Sequence, residues 1–312
     1  MRSMSYPIIS CDGSVFDGGD GRLYAAPYND SDVYRIDGNK LRWAFKLPKG
    51  CVYDHYGSVG YDYILARVPD EYGGQRAWKL CIVSSEQVYR FHNSGHFVSC
   101  GFNAKHKILV TNLASMRIGC INLQTMDESI TTHDLAAQIN VDQLLIADYR
   151  DGIIQTRYLT APDDIVSTID IAGLHLCAPI FYYPIAPNII ALLGSVQDSD
   201  ESQLFIVRND RIVFQMPMVD VIGAESMEKR FIIYGRLPKN RRPSSVILYG
   251  NLDTNRFCIL PNIFDAKLIS YGIVVEPLSM SGYCVVPSKH LERKAFNIVK
   301  FNSNCSYVLA VV

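Results

Sequence analysis

The chain has 312 residues, of which 48% are hydrophobic and 20% charged, with a net charge of −1. That balance excludes bulk nucleic-acid binding driven by phosphate neutralisation, which needs an excess of Lys and Arg. No apolar run approaches the roughly 20 residues a membrane helix requires. The short polar start ahead of Tyr6-Pro7-Ile8-Ile9 offers no signal-peptide core. The cysteines number nine, an odd count, with no Cys-x-x-Cys pair. The expected compartment is therefore the reducing cytoplasm, with the thiols buried as small hydrophobes.

In chain order, runs rich in Val, Ile, Leu, Tyr and Phe alternate with Gly, Pro, Asn and Asp, as strands alternate with turns. The first four runs fall at 6–10, 22–28, 32–36 and 41–47. Asp37-Gly38-Asn39-Lys40 is a tight turn between the last two, because Gly and Asn tolerate positive φ. Next come 61–68, 77–83 and 87–91, then 96–102, 107–112, 117–123 and 129–134. A fourth group, 144–149, 153–159 and 165–171, has only a weak leading strand near 137–141, with a helical turn over 134–138 as the alternative. The fifth group is 176–183, 188–196, 203–207 and 211–216. The sixth is 220–224, 231–236, 245–249 and 256–260, and the last is 267–273, 283–286, 296–301 and 307–311. The C-terminal run is apolar to its end, which predicts a paired strand.

Polar hairpin turns recur near Gly38, Ser85, Thr125, Pro162, Asn209, Asp253 and Ser303. Their spacing of roughly 37–50 residues, with four strands per repeat, is that of a β-propeller. The expected architecture is all-β: a single domain over residues 1–312, built as a seven-bladed β-propeller of four-stranded antiparallel blades.

The segment from Val33 to Phe45, with Asp37-Gly38-Asn39-Lys40 between two strands and Trp43 on the second, resembles one repeat of the quinoprotein-like propellers. Gly95-His96 is similar to the Gly-His pair of tryptophan-aspartate-repeat propellers, although no Trp-Asp dipeptide occurs. Kelch-type double glycines occur only at Gly18-Gly19 and Gly73-Gly74. The resemblance implies the seven-bladed fold in general. It implies no cofactor, because the tryptophan motif is not repeated: Trp78 lies on a different strand.

Chemistry-bearing constellations are sparse. His92 and His96 have the four-residue spacing of a helical zinc pair, but Asn93-Ser94-Gly95 makes the segment a loop. Asp12, Asp17 and Asp20 alternate with glycines as calcium loops do, without the full ligand series, and read as a turn. No nucleophile elbow, zincin motif or phosphate loop occurs. The reading is a protein without catalytic residues, metal or cofactor. Tyr53, Tyr56, Tyr61 and Tyr63 cluster, as do Tyr182 and Tyr183, in keeping with either an interface or strand packing.

Connections between second and third strands are the long, charged ones. Asp70, Glu71 and Tyr72 lie in one, and Asp198, Asp200 and Glu201 in another. Arg236, Lys239, Arg241 and Arg242 lie in a third, and Lys289, Arg293 and Lys294 in a fourth. Such loops would share one rim, with a basic sector beside acidic ones, as suits a protein partner. The expectation is a protein-binding propeller: an interaction scaffold, or a dedicated inhibitor such as a toxin-neutralising immunity protein. The alternative is an enzyme or carbohydrate-binding propeller with its site at the central channel.

Overall fold

The computed structural model describes residues 3–17, 22–38, 40–47, 52–58, 63–68, 77–82, 87–90, 97–103, 108–113, 118–122, 124–125, 127–131, 135–140, 143–158, 161–197, 199, 201–227, 229–238, 244–261, 263–269, 271–277, 282–292, 296–301 and 306–311. Side-chain environments are described for most of 9–47 and 145–292. The chain divides into two compact units, Met1–Cys100 with Phe264–Val312, and Gly101–Ile263. Among the described residues the only helix is a single turn, Ser288–Leu291. None is long and apolar enough to cross a membrane.

Among the described residues, the strands form six four-stranded sheets, each in sequence order, and one six-stranded sheet. We letter the strands of each four-stranded sheet a to d. The first sheet is Gly13–Asp17, Leu23–Pro27, Asp32–Asp37 and Lys40–Lys46. The second runs from Val52–Ser58 to Gln87–Arg90, and the third from Phe97–Asn103 to Glu128–Thr131. The fourth is Leu135–Asn140, Gln143–Arg150, Ile153–Tyr158 and Ala161–Asp170. The fifth is Phe181–Ala186, Ile189–Gly194, Gln203–Arg208 and Arg211–Pro217. The sixth is Asp220–Met227, Arg230–Leu237, Ser244–Asn251 and Arg256–Pro261.

Three local expectations change. The run 6–10 is a strand, Ser3–Ile9, but it does not belong to the first sheet. It pairs with Tyr283–Pro287 through Ile8↔Cys284 and Ile9↔Tyr283, and with Ser306–Val311 through five further residue pairs. The first sheet begins instead at Gly13–Asp17, inside the expected Asp12–Gly21 turn. Only Val15 and Phe16 are large and apolar there, and both are buried, so turn-like composition hid an inner strand. The weak leading strand expected for the fourth group does form, as Leu135–Asn140 paired with Gln143–Arg150, and the helical-turn alternative is not taken. Pro162 lies within the strand Ala161–Asp170, not in a turn.

The last group changes most. Ile263–Ile269 and Gly272–Pro277 form a hairpin within what reads as one apolar run. They open the six-stranded sheet, which continues through Tyr283–Pro287, Ser3–Ile9, Ser306–Val311 and Phe296–Phe301. The C-terminal strand is thus paired on both sides, as its composition predicts.

The Asp37–Lys40 turn forms as expected, with Asp37 opposite Lys40 and Gly38 at φ 63°, a conformation glycine adopts without strain.

Within each unit, the described core lies between neighbouring sheets. Ala147, Ile154 and Ile169 of the fourth sheet pack against Ile190, Leu192, Phe205 and Val207 of the fifth. The fifth sheet's other face, with Ala191, Leu193 and Ile206, meets Phe231, Ile233, Val246 and Leu248 of the sixth. In the other unit, Val15, Leu23 and Ala25 of the first sheet pack on Ile269, Val274 and Tyr283 of the six-stranded sheet. Sheets covered on both faces need inner strands that are apolar throughout. Ile189–Gly194 is accordingly buried at every residue.

Outer strands carry bulges. The c–d registers shift between Val33 and Tyr34, between Thr156 and Tyr158, and between Ile206 and Val207. Each leaves a residue of the edge strand unpaired and increases its local twist, which discourages edge-to-edge association.

Candidate protein-docking surface

In an antiparallel four-stranded sheet the b–c and d–a connections leave the same end. In the Gly101–Ile263 unit, those among the described residues are the Asp151-Gly152 turn, the link 171–180, the described part of the loop 195–202 and the link 218–219, next to the end of the strand Arg230–Leu237. Backbone hydrogen bonds knit them together. Ile171 N–H and Ala172 N–H donate to Gly152 C=O at 2.9 and 3.2 Å. Cys177 N–H donates to Ser195 C=O at 2.9 Å, and Gln197 N–H to His175 C=O at 2.8 Å. Met218 N–H reaches Ser202 C=O at 3.2 Å, and Val219 N–H reaches Arg236 C=O at 2.8 Å. His175 holds φ 57°, which turns the link back toward the loop.

Large apolar side chains protrude along this ledge. Ile180 is 75% exposed, Ile222 57% and Val219 48%, with Val196 also exposed. Ile222 is the unpaired residue of the bulge between Val221 and Gly223, which aims it outward. Beside them Arg236 grips Asp220. Its Nε donates to both carboxylate oxygens at 2.8 Å, and Nη2 closes a second arm on Oδ2. These charge-assisted hydrogen bonds, reinforced by the guanidinium charge, hold the Asp220 carboxyl below its usual range.

Of the sequence-predicted contact residues, Arg236 belongs to the strand Arg230–Leu237 rather than to the following loop. Its side chain is engaged by Asp220 instead of presented free. Glu201 is exposed as expected, in a loop where its N–H donates to Ser199 Oγ at 3.2 Å. Lys289 is exposed but sits in the helical turn Ser288–Leu291, after Tyr283–Pro287. That strand is third from the Ile263–Ile269 edge, so Lys289 leaves the opposite end from a b–c loop. The expected boundary failed because Gly272–Pro277 was fused with its neighbour, which shifted the strand count by one. Lys239, Arg241, Arg242, Arg293, Lys294, Asp198, Asp200, Asp70, Glu71 and Tyr72 lie outside the described residues.

His92, His96 and Asp20 also lie outside them, and Asp12 is exposed. No group of three or more His, Cys, Asp or Glu side chains placed to hold a metal ion occurs among the described residues. Tyr183 is a packing residue. It is buried, shares a 3.3 Å hydrogen bond with Ser226 Oγ, and burial pushes its hydroxyl pKa upward. Tyr182 stacks at a tilt on Tyr149, centroids 6.3 Å apart. Ile180, Val219 and Ile222 escaped a reading that looked for charge in loops. Ile180 and Val219 lie in d–a links and Ile222 at a bulge early in the strand Asp220–Met227, positions indistinguishable in sequence from the end of a strand.

No protein-family description matches the chain, and no curated protein matches it. Solved structures do. A crystal structure of the WD40 repeats of RRP9 matches with a TM-score of 0.52 at 11% identity, covering 91% of this chain and 97% of that one. A chain of the mitotic checkpoint complex matches at 0.51 and 13% identity, covering 92% and 93%. The tricorn protease matches at 0.52 and 12% identity, where this chain spans 34% of the other's length. The fold is of the β-propeller type: all-β, with four-stranded antiparallel sheets stacked face to face.

Proposed function

We propose that this chain is a protein-binding propeller whose partner docks on the b–c and d–a end of the fourth to sixth sheets. One observation carries the reading: Ile180, Val219 and Ile222 stand exposed on a hydrogen-bonded ledge. Apolar side chains grouped on a rigid, polar-rimmed surface are a signature of interaction sites. A ledge ordered before binding loses little entropy on docking. The Asp220–Arg236 pair and Glu201 supply the polar margin. Such docking serves a scaffold subunit and a one-to-one inhibitor equally. In the same reading the seven sheets count as seven blades, which agrees with the turn period.

The test compares affinity purification with the wild type and with Ile180→Asp and Val219→Asp variants. The expected result is a stoichiometric protein partner lost in both, with melting temperatures unchanged because the sites are exposed. A partner retained at full occupancy by both variants would remove this ledge as the docking site. An unfilled-ledge protein that turns over a small molecule would favour the channel-based alternative.

A further inference from the structure

A second surface, in the other unit, has its own chemistry. Lys40–Lys46 is the outer strand of the first sheet, so among the described residues one side of its backbone has no strand neighbour. Its sequence, Lys40-Leu41-Arg42-Trp43-Ala44-Phe45-Lys46, holds three cations and no acid. The corresponding strands differ: Ala161–Asp170 contains Asp163, Asp164 and Asp170, whereas Arg211–Pro217 and Arg256–Pro261 each carry a single charge, an Arg.

Trp43 is 63% exposed. It is nevertheless fixed, because its Nε1–H donates to Asp32 Oδ1 at 3.2 Å. Its register partner is Tyr34, and Leu41 lies on the same face two residues away. On the opposite face Arg42 stands directly across from Arg35, with Lys40 beside it. Like charges facing each other across a strand pair destabilise it. Asp37 answers one of them, with its Oδ2 3.0 Å from Arg42 Nε. The pairing is regular from Lys40 to Trp43 and shifts at Ala44. Edge cations alone discourage self-pairing, but a large exposed indole does the reverse and calls for another account.

We propose that the Lys40–Trp43 edge accepts an extended acidic segment of a partner protein by strand addition. Its acidic side chains lie over Arg35, Lys40 and Arg42, and its apolar side chains over Leu41 and Trp43. Backbone pairing supplies affinity and the alternating faces supply specificity. A second copy of this chain is disfavoured as occupant, because it would bring the same cations edge to edge. Single-stranded nucleic acid also uses aromatic and cationic residues, so oligothymidylate is the competing ligand in the test.

The probe is a short synthetic peptide alternating glutamate with valine, titrated into the intact chain at low salt. Trp43 and Trp78 are its two tryptophans. Saturable binding with a blue shift in emission is expected, and the shift is absent in Trp43→Phe. Trp43→Ala should weaken binding about tenfold or more, as central aromatic contacts do. Lys40→Glu with Arg42→Glu should weaken it comparably and flatten its salt dependence. A peptide with lysine for glutamate, or one N-methylated along its pairing edge, should fail against wild-type protein. Ile180→Asp should leave the titration unchanged, which separates this surface from the ledge. The proposal is overturned by absence of saturable binding, by undiminished affinity in Trp43→Ala, or by equal affinity of the N-methylated peptide. Tighter binding of oligothymidylate than of the peptide, or self-association that buries Trp43, also overturns it.

Discussion

Placing a methyl group on Gly250 tests how tightly the sixth sheet packs. Gly250 lies opposite Phe231 in the b–c pair, and both are buried. A Cβ at Gly250 would sit against Cε1 and Cζ of the Phe231 ring. The ring has nowhere to retreat. It leans on Phe257 with centroids 6.2 Å apart, within the cluster that includes Leu204, Met218 and Leu248. Overpacking of this kind costs about 1–3 kcal/mol. Alanine ordinarily outperforms glycine in a strand by about 0.5–1 kcal/mol, so Gly250→Ala should lose about 1–2 kcal/mol net. Phe231→Ala alone should lose about 3–5 kcal/mol. In the double variant the new methyl enters space the ring has left, and the clash becomes partial filling. The double variant should therefore be more stable than the sum of the singles by about 1–3 kcal/mol. Urea unfolding of the four proteins, followed by far-ultraviolet circular dichroism, gives the cycle. Additivity within about 0.5 kcal/mol would refute the contact and the packing argument built on it.

The thiols and the acid limb give two further tests. Cys177 is exposed, whereas Cys11, Cys258 and Cys284 are buried. Burial, helped by Asp12 and Glu276, pushes the Cys11 thiol up to about 11, and burial pushes Cys284 up to about 12. Little reactive thiolate forms at either, so native-state alkylation mapped by mass spectrometry should mark Cys177 before Cys11, Cys258 and Cys284. Early modification of Cys284 would contradict the packing of the six-stranded sheet. Asp220 titrates below its ordinary value because Arg236 hydrogen-bonds its charged form. A depressed carboxylate pKa adds stability that is complete above the unfolded-state value of about 3.9, and that is lost as pH falls through the folded value. Asp220→Asn should thus lower the melting temperature slightly at neutral pH, and the difference should close in acid. A difference that widens in acid has the wrong sign.

Most strands were legible because their side chains carry the signal locally. Apolar runs such as Ile189–Gly194 and turns such as Asp37–Lys40 specify strand and reversal with neighbouring residues alone, and their recurrence specified the propeller type. The partner of a strand is another matter. Ser3–Ile9 is as plain a strand as any, yet nothing within it names Tyr283–Pro287 and Ser306–Val311, nearly the whole chain away, as its neighbours. Gly13–Asp17 is a strand only because packing on both faces outweighs its turn-like composition. The surfaces follow the same division. Charge in a loop can be read from sequence, but exposure cannot: Ile180 and Trp43 are of the residue types that fill cores, and only the folded packing leaves them facing solvent. Charge and strand periodicity are properties of adjacent residues. Pairing, burial and protrusion belong to contacts between residues far apart in the chain, and the tertiary structure alone decides them.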